Sequence, residues 1–298
     1  MKARLVWLIV CGIWSSTWLF IKVGLEEIPP FAFAAARFIL ASIALLTWAK
    51  IRRIPWPKGS AWKLITAVGA LQFTLNYALV YWGEQYISSG LAAVLQSMFP
   101  AFGMVIAHFY LPDERLKPIK ILGVLLGIAG VAVIFSDQLS LGGPSALLGS
   151  IALVLSAFFG SYSNVLIKTY GRALDPMMMA ACAMAIGSVP LTALAFAFEG
   201  NPWMISWSLR AIGALLYLVI VGSVLAFALY YWLIRTMEVT QTMLISLVIP
   251  VVATLLGAVI LHERIHGRLI AGTLCILTGL IIAMFHKTMI AALKPKSG

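Results

Sequence analysis

The 298 residues are 62% hydrophobic and only 10% charged, with a mean hydropathy of +1.01. Soluble domains carry roughly 25% charged residues, and a globule this apolar would expose more greasy surface than water tolerates, so an integral membrane protein is the class that remains. The net charge of +11 excludes a nucleic-acid binder rather than suggesting one, because Lys and Arg lie in short segments between apolar runs and not on one wet face.

Taken in order, the chain begins with Met1-Lys2-Ala3-Arg4 and an apolar run from Leu5 that has the outline of a signal peptide. Trp14 and Trp18 inside the run, and the lack of a small-x-small cleavage site, make it a first membrane span instead. Apolar runs long enough to cross a bilayer predict ten helical spans: 5–24, 31–49, 64–83, 90–111, 120–135, 146–167, 176–198, 209–234, 241–261 and 269–285. The connections are too short for a soluble domain, so any activity must sit inside the membrane bundle. Cys11, Cys182 and Cys275 each lie in an apolar run without metal-ligand spacing, and read as small buried hydrophobes with no disulfide.

Two spans carry an interior proline. In Gly90–Pro100, Pro100 removes one helical hydrogen bond and frees the carbonyl of Gln96; in Met243–Pro250, Pro250 frees that of Ser246. In hydrocarbon a freed carbonyl costs several kcal/mol unless a partner helix or a wet cavity satisfies it. Proline-interrupted spans at matched places in two halves point to the central site of a transporter.

Basic residues set the orientation. With the N-terminus inside, sixteen of the 21 Lys and Arg fall in cytoplasmic segments, while Arg210, Arg264 and Arg268 fall outside. Both termini are therefore expected in the cytoplasm. The halves also repeat: Ile21-Lys22 matches Ile167-Lys168, Pro30 matches Pro176, Tyr81-Trp82 matches Tyr231-Trp232, Pro100 matches Pro250, and Glu114, Gly123 and Gly130 match Glu263, Gly272 and Gly279. This is a duplicated five-span unit, with the first copy over 1–139 and the second over 140–298. Five is odd, so the second copy starts on the opposite side of the membrane and the repeat is inverted.

The chain here resembles an EamA-type member of the drug/metabolite transporter superfamily. The residues that carry the likeness are Ser89–Pro100, Asp113-Glu114-Arg115-Leu116, Gly123 and Gly130, and in the second copy Pro250, Leu261-His262-Glu263-Arg264, Gly272 and Gly279. The resemblance implies an all-α bundle of ten transmembrane helices, two inverted five-helix repeats around a central cavity, and alternating-access transport of small metabolites, often amino-acid export. It does not fix the substrate.

Candidate cavity residues follow from polarity inside apolar spans. Ser15, Trp18 and Lys22 share one face of span one, and Ser161, Asn164 and Lys168 share the matched face of span six; packing by small polar residues competes with cavity lining here, and headgroup snorkelling explains both lysines. Asn76 in mid-span is costly unless paired or facing water. Tyr77 and Tyr230 can wall an apolar side chain, Trp14 and Phe99 can act as aromatic gates, and the amide of Gln96 can donate and accept to a zwitterion. Ser246 sits at the second kink. Arg37 is expected in an ion pair with Glu26 or Glu27, Glu84 at the external end of span three, and His108 in packing. Gly123, Gly127 and Gly130 form a small-residue face for close packing or for a homodimer.

No Asp or Glu lies at the middle of a span. Small multidrug exporters of the same superfamily rely on a mid-membrane glutamate in their first helix, whereas Trp14–Trp18 has none. A permanent cation would lack its counter-charge, and proton coupling through a buried carboxylate is disfavoured. The expectation is thus a plasma-membrane exporter, in the bacterial inner membrane, of amino acids or similar small neutral or zwitterionic metabolites, with the lipid bilayer and its substrate as partners and without cofactor or metal. A drug or nucleoside-type exporter is the alternative within transport. An intramembrane lipid-modifying enzyme would need a nucleophile–base pair or carboxylate cluster at membrane depth, and His262 and His266 read as a solvated loop.

Overall fold

The computed structural model describes residues 2–111, 118–141, 143–171, 173–201, 204–236 and 245–293. Among them all regular structure is helical. In chain order the helices are α1 (Lys2–Leu25), α2 (Pro30–Ile51), α3 (Ala61–Glu84), α4 (Ser89–Tyr110), α5 (Pro118–Leu141), α6 (Gly143–Tyr170), α7 (Pro176–Phe198), α8 (209–236), α9 (Ile245–Ile260) and α10 (Gly267–Leu293). Seven stretches, in α1 to α4 and α6 to α8, are long and apolar enough to cross a membrane, and Pro118–Ile134, Val248–Ile260 and Gly267–Ile282 are shorter apolar helices. The outer faces are greasy: Leu122, Leu125 and Ile128 of α5 and Ile270, Leu274 and Ile281 of α10 are exposed, while Ile134, Ile276 and Leu280 of the same helices are buried. That inversion of a soluble protein's surface is what lipid contact requires.

Starts are locally encoded. The Ser88 hydroxyl accepts from the Leu91 amide, the Asp175 carboxylate from Met177 and Met178, and the Ser208 hydroxyl from Ala211, each satisfying amides that a helix's first turn leaves bare. Pro30 and Pro176 occupy first-turn positions, where a missing N–H costs nothing.

The two kinks differ from each other. α4 breaks at Ser97–Met98: one half ends at Gln96, the other starts at Phe99, and the Ser97 and Met98 amides fold back onto Val94 and Leu95. Pro100 therefore falls in the first turn of a new half-helix instead of kinking a continuous one. α9 instead continues through Pro250, which sits about a turn and a half after the described start. Pro190 inside α7 is a further interior proline.

α3 and α8 each loosen into a π-helical stretch, at Gly69–Asn76 and Tyr217–Leu225. In each, a hydroxyl reaches the carbonyl five residues back: Thr74 to Gly69 at 3.4 Å and Ser223 to Leu218 at 2.9 Å. Such stretches are uncommon and mark sites where a helix is re-aimed.

Three pairs of helices at matched places in the sequence pack together. α2 lies against α7, α5 against α10, and the first half of α4 against α9. Gly130 faces Gly272 and Gly123 faces Gly279, so α5 and α10 run antiparallel. A Cβ on Gly130 would come within 2.6 Å of the Gly272 carbonyl oxygen, and one on Gly279 within 2.4 Å of that of Gly123. These glycines thus pack against each other within one chain, which leaves them no free face for a second copy.

Candidate functional site

α3 is the hub. Its Phe73, Tyr77 and Tyr81, one turn apart, meet Phe33 and Phe38 of α2, while its Gln72, Asn76 and Gly83 face α6. The second face forms an amide cluster. Gln96, the last residue before the break in α4, donates through Nε2 to Asn76 Oδ1 at 3.4 Å. Ser156 Oγ of α6 lies 2.7 Å from both Gln96 Oε1 and the Leu153 carbonyl, so its single proton is shared. Gly160 makes room: a Cβ there would come within 2.6 Å of the Phe99 ring and 2.9 Å of Asn76 Nδ2. Ser161 Oγ holds the Phe99 carbonyl at 2.6 Å. Gln72 Oε1 is buried beside this cluster and accepts no hydrogen bond, an open acceptor whose burial costs about 1–3 kcal/mol until a donor arrives.

At the matched place in the other half, aromatic rings replace amides. Trp14 of α1 packs at 4.8 Å centroid distance on Tyr230 and 6.2 Å on Phe227 of α8. Val10, Cys11, Leu233 and Ile245 complete an apolar cluster there. Nearby on α1, Ser16 bonds the Tyr217 hydroxyl at 2.6 Å and Phe20 stacks on the same ring.

Arg37 is 3% exposed. Its Nε donates to Ser223 Oγ in the α8 π stretch at 3.2 Å, its Nη1 donates to Tyr81 Oη at 3.1 Å, and its guanidinium lies 5.2 Å from the Phe38 ring and 5.4 Å from the Tyr77 ring. The expected ion pair with Glu26 or Glu27 is not formed. Glu26 instead pairs with Arg210 at 2.6 Å, and Arg37 is held by hydroxyls and ring faces, which can carry a delocalised cation in a dry site.

One end of the bundle is tied by cross-connections. The Glu263 carboxylate, after α9, accepts from the Ser89 and Gly90 amides at 2.7 and 3.2 Å, closing the N-terminus of α4. Glu199, after α7, accepts from Phe31 and Ala32 at 2.7 and 2.8 Å, closing that of α2; burial pushes its carboxyl above the usual range while these two amides draw it back. Lys22 Nζ caps the other way, donating to the carbonyls of Glu84 and Ile87 at 2.7 Å and Gln85 at 3.3 Å. It is therefore a helix-end clamp, not a snorkelling chain. Glu84, expected at an external end, is wholly buried. Toward the opposite end, Val105, Ile106, Phe109 and Tyr110 of α4 and Phe158 and Tyr162 of α6 line an apolar cavity of about 330 Å³, beside which the Tyr110 and Tyr162 hydroxyls bond each other.

The description that fits this architecture is the EamA-like transporter family, whose model matches residues 1–136 and 147–285. The chain belongs to that family. An uncharacterized transporter of Bacillus subtilis, YoaV, is 28% identical to this EamA-like chain, the match covering 92% of it and 93% of YoaV. A probable amino-acid metabolite efflux pump of Escherichia coli is 27% identical, over 93% of each chain. A solved structure, described only as the crystal structure of a protein, aligns over 97% of this chain and 98% of its own with a TM-score of 0.65; at 22% identity it speaks to fold alone.

Of the residues expected in the cavity, Asn76, Gln96 and Phe99 come together around Gly160, and Trp14 and Tyr230 come together in the aromatic cluster. Tyr77 lies under Arg37, Trp18 packs on the core, and Ser15 is buried with its hydroxyl on the Cys11 carbonyl. Asn164 is exposed and joins neither cluster. The side chain of Ser246, and the whole of Glu114, lie outside the described residues. Sequence reasoning passed over Gln72, Ser156, Gly160 and Ser223; a signal did exist for one pair, since Thr74 and Ser223 are hydroxyls at matching places in two apolar spans.

Proposed function

We propose that this EamA-like transporter exports amino acids or similar small neutral or zwitterionic metabolites by alternating access. The observation that carries the reading is the uncharged amide cluster of Asn76, Gln96 and Gln72 where α4 breaks, with one buried acceptor still open. Amides serve both ends of a zwitterion, and an open carbonyl oxygen suits an ammonium. The matched Trp14–Tyr230 cluster suits an apolar side chain. Ser15, Trp18, Tyr77, Phe99 and Ser246 complete the proposed lining, and Asn164 enters it only if α6 turns during the cycle.

The reading includes ten spans as two inverted repeats, 1–139 and 140–298, in a bacterial inner membrane with both termini cytoplasmic. Three features support it. The family model matches the chain in two segments. Contacts of counterparts recur in exchanged form: α1 packs on α8 and α9 as α6 packs on α3 and α4. Counterparts α5 and α10 run antiparallel, as a two-fold axis in the membrane plane demands. The connections at Glu26–Arg210, Phe31–Glu199 and Ser89–Glu263 involve four of the five segments expected outside the cell.

The test is a proteoliposome screen of unlabelled amino acids for uptake and efflux, followed by Gln96→Ala and Asn76→Ala. Losing one hydrogen bond of about 1.4 kcal/mol predicts about a tenfold fall in transport at sub-saturating substrate. Wild-type flux in both variants removes the amide cluster from the site, and export of dyes with no amino-acid flux replaces the substrate class.

A further inference from the structure

Glu84 ends α3 and is 0% exposed, and neither of its carboxyl oxygens accepts a hydrogen bond. An ionised carboxylate buried without donors costs several kcal/mol. The cheap remedy would be an ion pair, and the surrounding charges are of the right kind, yet none of them reaches the carboxyl. Lys22 from α1 has three N–H donors, and carbonyls of residues 84, 85 and 87 take them. Arg37 from α2 is held by Tyr81 and Ser223. Glu263, from the segment after α9, is engaged with the first amides of α4. Tyr81, one turn before Glu84 on α3, has its hydroxyl on Arg37. The face of α6 against this end of α3 presents Gly149, Ala152 and Leu153, with no titratable group. Two positive charges and one negative charge thus act on the carboxyl through space without touching it.

We infer that Glu84 is a proton-binding site of the transport cycle, occupied by a proton while Glu263 closes the N-terminus of α4 and emptied when that contact opens. The logic is electrostatic. While this end is closed, burial without a donor disfavours the charged form and the nearby Glu263 carboxylate adds to that against the pull of Lys22 and Arg37, so the neutral acid is held. When α4 and the segment after α9 part, the negative charge leaves and water enters, while Lys22 and Arg37 remain. The carboxyl then ionises and its proton passes to the water on that side. Nothing else is consumed: one O–H bond breaks on release to that side and forms again, once this end has closed, with a proton taken from the opposite side of the membrane, so each cycle carries one proton across. The site extends the proposed transport cycle but does not depend on which metabolite is carried.

The test has two arms. Infrared difference spectra of the purified, reconstituted protein across a pH titration should show the carbonyl stretch of a protonated carboxyl that is absent in Glu84→Gln and displaced in Glu84→Asp. No such band, or one unchanged in both variants, overturns the inference; if Glu84→Gln does not fold, the displacement in Glu84→Asp decides. In the second arm, proteoliposomes are given an equimolar mixture of the neutral amino acids, a one-unit pH gradient and a clamped membrane potential. One proton per substrate sustains about a tenfold concentration ratio per pH unit. Wild type should approach that ratio, whereas Glu84→Gln should equilibrate without a gradient while keeping counterflow exchange. A gradient retained by Glu84→Gln, or counterflow in wild type with no response to pH, overturns the assignment. Failure of wild type to carry any amino acid would refute the substrate reading alone, and the infrared band would still decide for Glu84.

Discussion

The contact that should govern access is Glu263 on the N-terminus of α4, and removing it gives a quantitative test. Two amides donate to this carboxylate, at 2.7 and 3.2 Å. A hydrogen bond to a charged group contributes about 1.5–3 kcal/mol, and an N-terminal cap in general about 0.5–2 kcal/mol. The first bond is short and the second long, so about 2 kcal/mol is a fair sum for the pair. If that energy stabilises the state closed at this end, Glu263→Ala should raise the open population about 25-fold. Glu263→Gln keeps one neutral acceptor and should give about half the energy, or roughly fivefold. A cysteine at Ile87, which is 4% exposed, reports opening through its labelling rate with a membrane-impermeant thiol reagent, once Cys11, Cys182 and Cys275 are replaced by alanine. Labelling should follow the order wild type, Gln, Ala. Equal rates in all three would refute the idea that this carboxylate holds the bundle shut, and faster labelling with lower thermal stability would reassign it to folding alone.

Other consequences can be checked alongside. Gly130→Ala should lower the melting temperature in detergent, because the added methyl meets a backbone oxygen at 2.6 Å and overpacking costs about 1–3 kcal/mol; Gly103→Ala, with no heavy atom within 4 Å, should be neutral or gain up to about 1 kcal/mol of helix propensity. Lys22→Met should destabilise by at least about 1 kcal/mol, since it leaves the buried end of α3 with bare carbonyls; unfolding in graded denaturant measures it. Arg37→Lys should impair transport despite the retained charge, because a point donor cannot serve Tyr81 and Ser223 on two helices together. Flux at the wild-type level would show that charge alone suffices.

The helical class, the membrane setting and the paired glycines of α5 and α10 were legible because hydropathy and small-residue spacing are direct images of lipid contact and close packing. Asn76 with Gln96 was legible for a similar reason: polar groups in hydrocarbon need each other or water. Depth at the end of a span was not legible. Glu84 and Lys22 sit where a hydropathy profile predicts water, and only the fold shows the neighbouring helix ends covering them. Arg37 was expected beside Glu26 or Glu27, whereas its partners Tyr81 and Ser223 come from other helices. The α6 stripe was drawn through Ser161, Asn164 and Lys168, yet only Ser161 of these is buried, with Ser156, Gly160 and Ser163, while Asn164 and Lys168 are exposed; a small rotation of the assumed face is enough to lose much of the site. The π stretches left only a faint trace, the hydroxyls of Thr74 and Ser223 at matching places, since one hydroxyl in an apolar run does not by itself announce a change of helical pitch.

On the proposed inverted repeat, such a bundle need not behave alike in its two directions. Counterpart positions no longer carry the same chemistry. Gly160, which admits the amides, is matched by Trp14; the region of Glu84 is matched by Leu233 and Ile234; and half-buried Lys22 is matched by exposed Lys168. Two inverted copies with identical residues would give two states of equal energy, related by symmetry and indifferent to pH. Among the described residues the buried carboxyl of Glu84 has no carboxyl at its matched place, where rings and aliphatic chains make the contact. On the proposed cycle a proton therefore biases one of the two states and not the other. That is the minimum a gradient needs to act on direction, and replacing Glu84 should make the two states respond alike to pH.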